Sequence, residues 1–138
     1  MKDAIYSLTK ALPNASANND TNVIDLNIDA APNAGGQSKS NKWRLAYVEI
    51  DVPALIDHTD PTKSNTFTLY HSATNAVGAV TNPLIQASVP GVASSGSAAT
   101  TLRVPLPPGV LRYISFRQAV PSGGGTGSNA TVTYDLVT

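Results

Sequence analysis

Short runs in which apolar and polar residues alternate recur along this chain, separated by clusters of Pro, Gly, Asn and Ser. A period of two places one set of side chains on each face of a β-strand. In the longest run, 43–52, Ala46, Val48, Ile50 and Val52 share one face, and Glu49 and Asp51 the other. Run 66–71 sets Phe67, Leu69 and His71 against Thr68 and Tyr70. Run 101–106 groups Leu102, Val104 and Leu106 and ends at the turn signal Pro107-Pro108-Gly109. Run 112–120 alternates Ile114, Phe116, Gln118 and Val120 with Tyr113, Ser115 and Arg117. Run 130–137 groups Val132, Tyr134 and Leu136 opposite Thr131, Thr133 and Asp135. Weaker strand patterns occupy 21–26 and 84–89.

Seven such segments, with no sustained helical spacing after residue 12, predict an all-β sandwich or barrel. The expected core is Val23, Val48, Ile50, Phe67, Leu69, Leu102, Val104, Ile114, Phe116, Val132, Tyr134 and Leu136. The Gly-rich stretch 121–129 reads as a hairpin loop, and 72–100 carries little pattern.

The N-terminal region reads differently. Ile5, Leu8 and Leu12 fall at helical spacing, so 1–12 is either a short amphipathic turn or an extended arm. Residues 13–20 form a polar linker, which divides the chain into an arm and linker (1–20) and a single β-sandwich domain (21–138). Met1, Ile5, Tyr6, Leu8 and Leu12 are candidate interface residues, because a free apolar arm gains by burial on a neighbouring molecule. The alternative is an arm folded back onto its own sheet.

Composition narrows the function classes. Nine basic residues balance nine acidic ones, whereas nucleic-acid binding draws its affinity from a basic excess. No apolar run approaches the roughly 20 residues of a membrane span, and residues 1–12 lack the apolar core of a signal peptide. Neither nucleic acid nor membrane is an expected partner. The chain has no cysteine, which excludes disulfides, thiolate metal sites and cysteine nucleophiles. Charged residues are 13% of the chain, about half the usual share; weak self-repulsion suits close neighbours in an assembly.

Chemistry-bearing residues are sparse. Asp57-His58-Thr59-Asp60 groups carboxylates with an imidazole, but adjacent residues of one loop rarely converge as three or four ligands. A solvated loop is the expectation there. His71 reads as a partly buried strand residue bonded to a neighbour. Glu49 and Asp51 read as exposed acids on an outer face, and Trp43-Arg44 as the one exposed pair suited to stacking on a sugar. There is no Gly-x-Ser-x-Gly sequence, and no helix start follows the glycines at 123–127 to bind phosphate. The sequence predicts no catalytic residue, no metal and no cofactor.

Three blocks carry a resemblance. They are Thr21-Asn22-Val23-Ile24-Asp25-Leu26; Val104-Pro105-Leu106-Pro107-Pro108-Gly109 leading to Arg112-Tyr113-Ile114-Ser115-Phe116-Arg117; and the closing hairpin with its final strand 130–137. In their order and spacing the chain resembles the capsid cement, or decoration, proteins of tailed phages. The similarity covers both ends and is thin over 53–100. The resemblance implies a jelly-roll-like β-sandwich of about seven to eight strands with an N-terminal arm, on the outer capsid surface of the virion. Its implied partners are the major capsid protein and further copies of itself, as a homodimer or homotrimer. A carbohydrate- or receptor-binding sandwich of a phage tail or adhesin is the alternative.

Overall fold

A computed structural model describes residues 2–26, 46–75, 82–122 and 130–137, and the side chains of these except 2–6 and 82. The described residues form nine strands and no helix: β1 (Lys2–Ala11), β2 (Ala17–Asp20), β3 (Ile24–Asp25), β4 (Tyr47–Val52), β5 (Ser64–Ser72), β6 (Asn82–Pro90), β7 (Thr100–Pro105), β8 (Tyr113–Val120) and β9 (Thr131–Val137).

The pairings nest like one long antiparallel ribbon. β5 pairs with β6 at its tip, then β4 with β7, then β2 and β3 with β8, and β1 with β9. Rolling the ribbon lays β4 beside β9 and β5 beside β8. Two sheets result, β1-β9-β4-β7 and β2-β8-β5-β6, with β3 also on β8. That order is a jelly roll.

Period-two alternation decides what lies between the sheets. Val48, Ile50, Phe67, Leu69, Val104, Ile114, Phe116, Val132, Tyr134 and Leu136 are all buried, as the alternation predicts. Phe116 and Tyr134 face each other across the interior with ring centroids 4.9 Å apart. Val23 and Leu102 differ from expectation and are only half-buried. Val23 lies where the chain leaves the ladder between β2 and β3, and Leu102 lies on an edge strand.

The region expected as an arm and linker is part of the sandwich instead. In β1, Ser7, Leu8, Thr9, Lys10 and Ala11 pair with Asp135, Tyr134, Thr133, Val132 and Thr131. In β2, residues 17–20 pair with 120–117 of β8. Leu12 is buried and Leu8 packs against the core. Ile5 and Tyr6 lie within β1, and Met1 lies outside the described residues.

A polar network centred on the buried Gln118 and Tyr134 ties this region down. Tyr134 Oη donates to Gln118 Oε1 at 2.8 Å, while Gln118 Nε2 donates to Asn19 Oδ1 at 2.7 Å and Ala11 O at 3.0 Å. Asn19 Nδ2 also donates to Ala11 O at 2.9 Å. Gln118 is fully buried, so each lost partner would leave a desolvated polar atom. The network joins β8, β9, β2 and the end of β1. Within this chain the N-terminal segment thus pairs with its own sheets.

Candidate interaction face

β2 and β3 are two pieces of one interrupted strand running along β8. At the break, Thr21 N donates to Phe116 O at 2.9 Å, and Phe116 N donates to Thr21 Oγ1 at 3.0 Å. The hydroxyl accepts the bond that a backbone carbonyl would take in a regular ladder. Residues 21–26 were expected as one strand; only Ile24–Asp25 is regular, because a side chain substitutes for the main chain at Thr21.

This arrangement brings together residues far apart in sequence. Ile24 lies opposite Ile114 and Asp25 opposite Tyr113. Leu26 N donates to Arg112 O at 2.8 Å. Arg112 donates through Nε and Nη2 to the two oxygens of Asp25, both at 2.8 Å. The family-like residues 21–26, 112 and 113 thus lie in or beside a single strand pair, with Asn22 exposed and Val23 half-buried at the break.

On the outer face of this sheet the pattern repeats. Arg117 donates through Nε and Nη2 to Asp20 at 2.7 and 3.0 Å. The Arg112 guanidinium lies 5.1 Å from the Tyr113 ring centroid, and that of Arg117 5.5 Å from the Tyr70 centroid. Each unit has an acid on the interrupted strand, an arginine on or beside β8 and a half-buried tyrosine. The hydrogen bond and charge of Asp20 push the Arg117 pKa further up, so it stays a cation at any ordinary pH. Forked arginine–carboxylate pairs fix guanidinium orientation as well as charge. Tyr and Arg are the residue types that concentrate binding energy at protein interfaces. The face thus carries two preorganised arginine–carboxylate–tyrosine units.

The outer face of the other sheet is polar in a different way. Across it, Ser7, Asp135, Glu49 and Arg103 stand in one row, and Thr9, Thr133, Asp51 and Thr101 in the next. Ser7 Oγ donates to Asp135 Oδ1, Arg103 Nε lies 3.4 Å from Glu49 Oε2, and Thr101 Oγ1 donates to Asp51 Oδ1 at 2.6 Å. Asp51 is half-buried, but Glu49 is only 8% exposed, which corrects its expected place as an exposed acid. An open groove of about 420 Å³ lies at one end, lined chiefly by Asp51, Thr100, Thr101, Thr131 and Thr133.

The two histidines serve as structural braces. His58 is fully buried, where a solvated loop was expected. Its Nε2 lies 3.0 Å from Val89 O, and its carbonyl accepts from Val92 N at 3.0 Å. It thereby fastens the 53–63 loop to the 91–99 loop. Two backbone bonds between Leu55 and Ser97 and a bond from Gly91 N to Lys63 O complete the brace. Gly96 has a positive φ of 71°, and a Cβ there would meet Leu55 O at 2.3 Å. In the same loop pair Thr62 donates from N and Oγ1 to Asp60, holding that carboxyl below its ordinary pKa. His71 is half-buried, as expected, and its Nδ1 accepts from Leu111 N at 3.1 Å.

Among the described residues no group of three or more His, Cys, Asp or Glu side chains is placed to hold a metal. Trp43, Arg44 and the glycines at 123–127 lie outside the described residues. The paired tyrosines and arginines were individually visible in the sequence. Their grouping was not, because it depends on which strands become neighbours. No family model matches the sequence, and no curated protein matches it.

Proposed function

We propose that this chain is a structural capsid decoration protein, a jelly-roll domain that binds the exterior of a phage head. In this reading it stabilises contacts between major capsid subunits and carries out no reaction. One observation supports it most. The blocks 21–26 and 112–117, which carry much of the resemblance to cement proteins, form adjacent strands locked by the Arg112–Asp25 pair. The resemblance therefore rests on a piece of architecture and on the arginine–carboxylate–tyrosine units beside it.

The physical demands of such a clamp agree with this molecule. It needs a rigid scaffold, which the two sheets and the His58-braced loops provide. It also needs contacts that need not be strong singly, because repetition over a shell adds them together. The Asp20–Arg117–Tyr70 and Asp25–Arg112–Tyr113 units supply fixed charge and aromatic surface at low ordering cost.

The same tyrosines favour one other reading, a glycan- or receptor-binding module, since aromatic rings beside polar groups also bind sugars. Co-sedimentation separates the two. Shells lacking the protein should carry it into the pellet, and the Arg112→Ala variant should pellet less. Absence from the pellet, together with retention on a glycan surface, would favour the second reading.

A further inference from the structure

The inward residues of β4, β8 and β9 are almost completely buried, whereas along β6 and β7 only Val89 and Val104 are. Leu84, Ile85, Ala87 and Leu102 pack against the core yet remain half-exposed. Above them β6 and β7 end their respective sheets among the described residues. The loop joining these two strands carries Val92, 46% exposed, and abuts the backbone of Ile56, itself 73% exposed. Among the described residues, the β6 edge thus has half-exposed apolar side chains beneath strand backbone that no other strand pairs.

Sheet edges are ordinarily guarded by charge. β1 carries Lys2, Asp3 and Lys10, β2 carries Asp20, and β7 carries Arg103. β6 carries none, and neither does any residue from 64 to 102. Pro83 and Pro90 bound a free stretch of six residues, 84–89, since proline cannot donate to a ladder.

We propose that β6 is an interface strand and that its occupant is a second copy of this chain, paired antiparallel about a two-fold axis through Ala87. The pattern and the lack of charge in this strand suit a second copy of it. Centred on Ala87, the pairing sets Ile85 against the partner's Val89 on the core-facing side. On the outer side it sets Gln86 against the partner's Ser88. Apolar meets apolar and polar meets polar, and no like charges are opposed. The core-facing side chains of both copies would close each other's open flank, and the isologous geometry ends at two copies. Two five-stranded sheets would join into one. The inference concerns association in solution and holds whether or not the dimer sits on a shell.

Mass measurements on the full chain decide it. Light scattering across a dilution series should show a dimer that dissociates only at low concentration. The Gln86→Lys, Ser88→Lys double variant opposes lysines across the axis and should be monomeric, with the circular dichroism of a folded β protein. The Gln86→Glu, Ser88→Lys double variant opposes unlike charges and should be dimeric again. A wild-type monomer or trimer throughout the series would overturn the proposal. So would a double-lysine variant as dimeric as the wild type. A charge-swapped variant that stays monomeric would also count against it.

Discussion

Tyr134 on β9 donates its hydroxyl to Gln118 on β8 at 2.8 Å, and that single bond orients an amide serving two further strands. Burial pushes the Tyr134 pKa well up, so the phenol remains a donor across the working pH range. Replacing Tyr134 with Phe keeps the ring against Phe116 but orphans Gln118 Oε1. The expected cost is about 1–3 kcal/mol in urea unfolding at unchanged slope. No loss would show that the network contributes nothing to stability.

Deletion of residues 1–12 should destabilise the domain rather than leave it intact. It removes the β1–β9 ladder, the buried Leu12 and the Ala11 carbonyl that accepts from Gln118 and Asn19. Thermal unfolding should shift markedly downward or be lost. A truncated chain as stable as the intact one would return the N-terminal segment to the role of a detachable arm.

Asn65 stands on the core-facing side of β5 with Phe67 and Leu69, opposite Val89, and is fully buried. Neither its amide nitrogen nor its oxygen has a hydrogen-bond partner. Orphaned polar atoms of this kind cost about 1–3 kcal/mol. Asn65→Leu, which keeps the branched heavy-atom skeleton without its polar atoms, should therefore raise stability by a similar amount. Destabilisation on denaturant titration would contradict this.

His71 gives stability a pH dependence of definite sign. Burial lowers its folded-state pKa below the ordinary 6.5, and its neutral Nδ1 accepts from Leu111 N. The unfolded chain then binds the proton more readily. The contribution is present above 6.5 and is lost as pH falls through the lowered folded value. Between about pH 7 and pH 5 the wild type should lose stability relative to His71→Ala. Parallel pH profiles would refute the assignment.

The strands legible in the sequence are those whose alternation is enforced by burial on one side. β4, β5, β7, β8 and β9 each set a buried row against a polar one, and their expected bounds shift by only a few residues. β1 and β2 were illegible for separate reasons. In β1 the residue after next from Leu8 is Lys10, which breaks the apolar row, while Ile5, Leu8 and Leu12 imitate a helical spacing. β2 is Ala-Asn-Asn-Asp, a composition typical of turns. It becomes a strand because Asn19 bonds Gln118 and Asp20 bonds Arg117, partners nearly a hundred residues away. The arginine–tyrosine grouping beside β8 shared that obscurity. Arg112 and Tyr113 stood out, but Tyr70, Asp20 and Arg117 join them only once β8 lies between β5 and the interrupted strand.

Imaging shells that lack this protein, before and after adding it, tests its proposed role as a capsid decoration protein most directly. Averaged cryo-electron microscopy maps should show one jelly-roll density at every equivalent outer site, bridging neighbouring capsid subunits. An Arg112→Ala, Arg117→Ala variant that remains folded should leave those sites largely empty. Shells that stay bare after incubation with an excess of the intact, folded protein would contradict a decoration role.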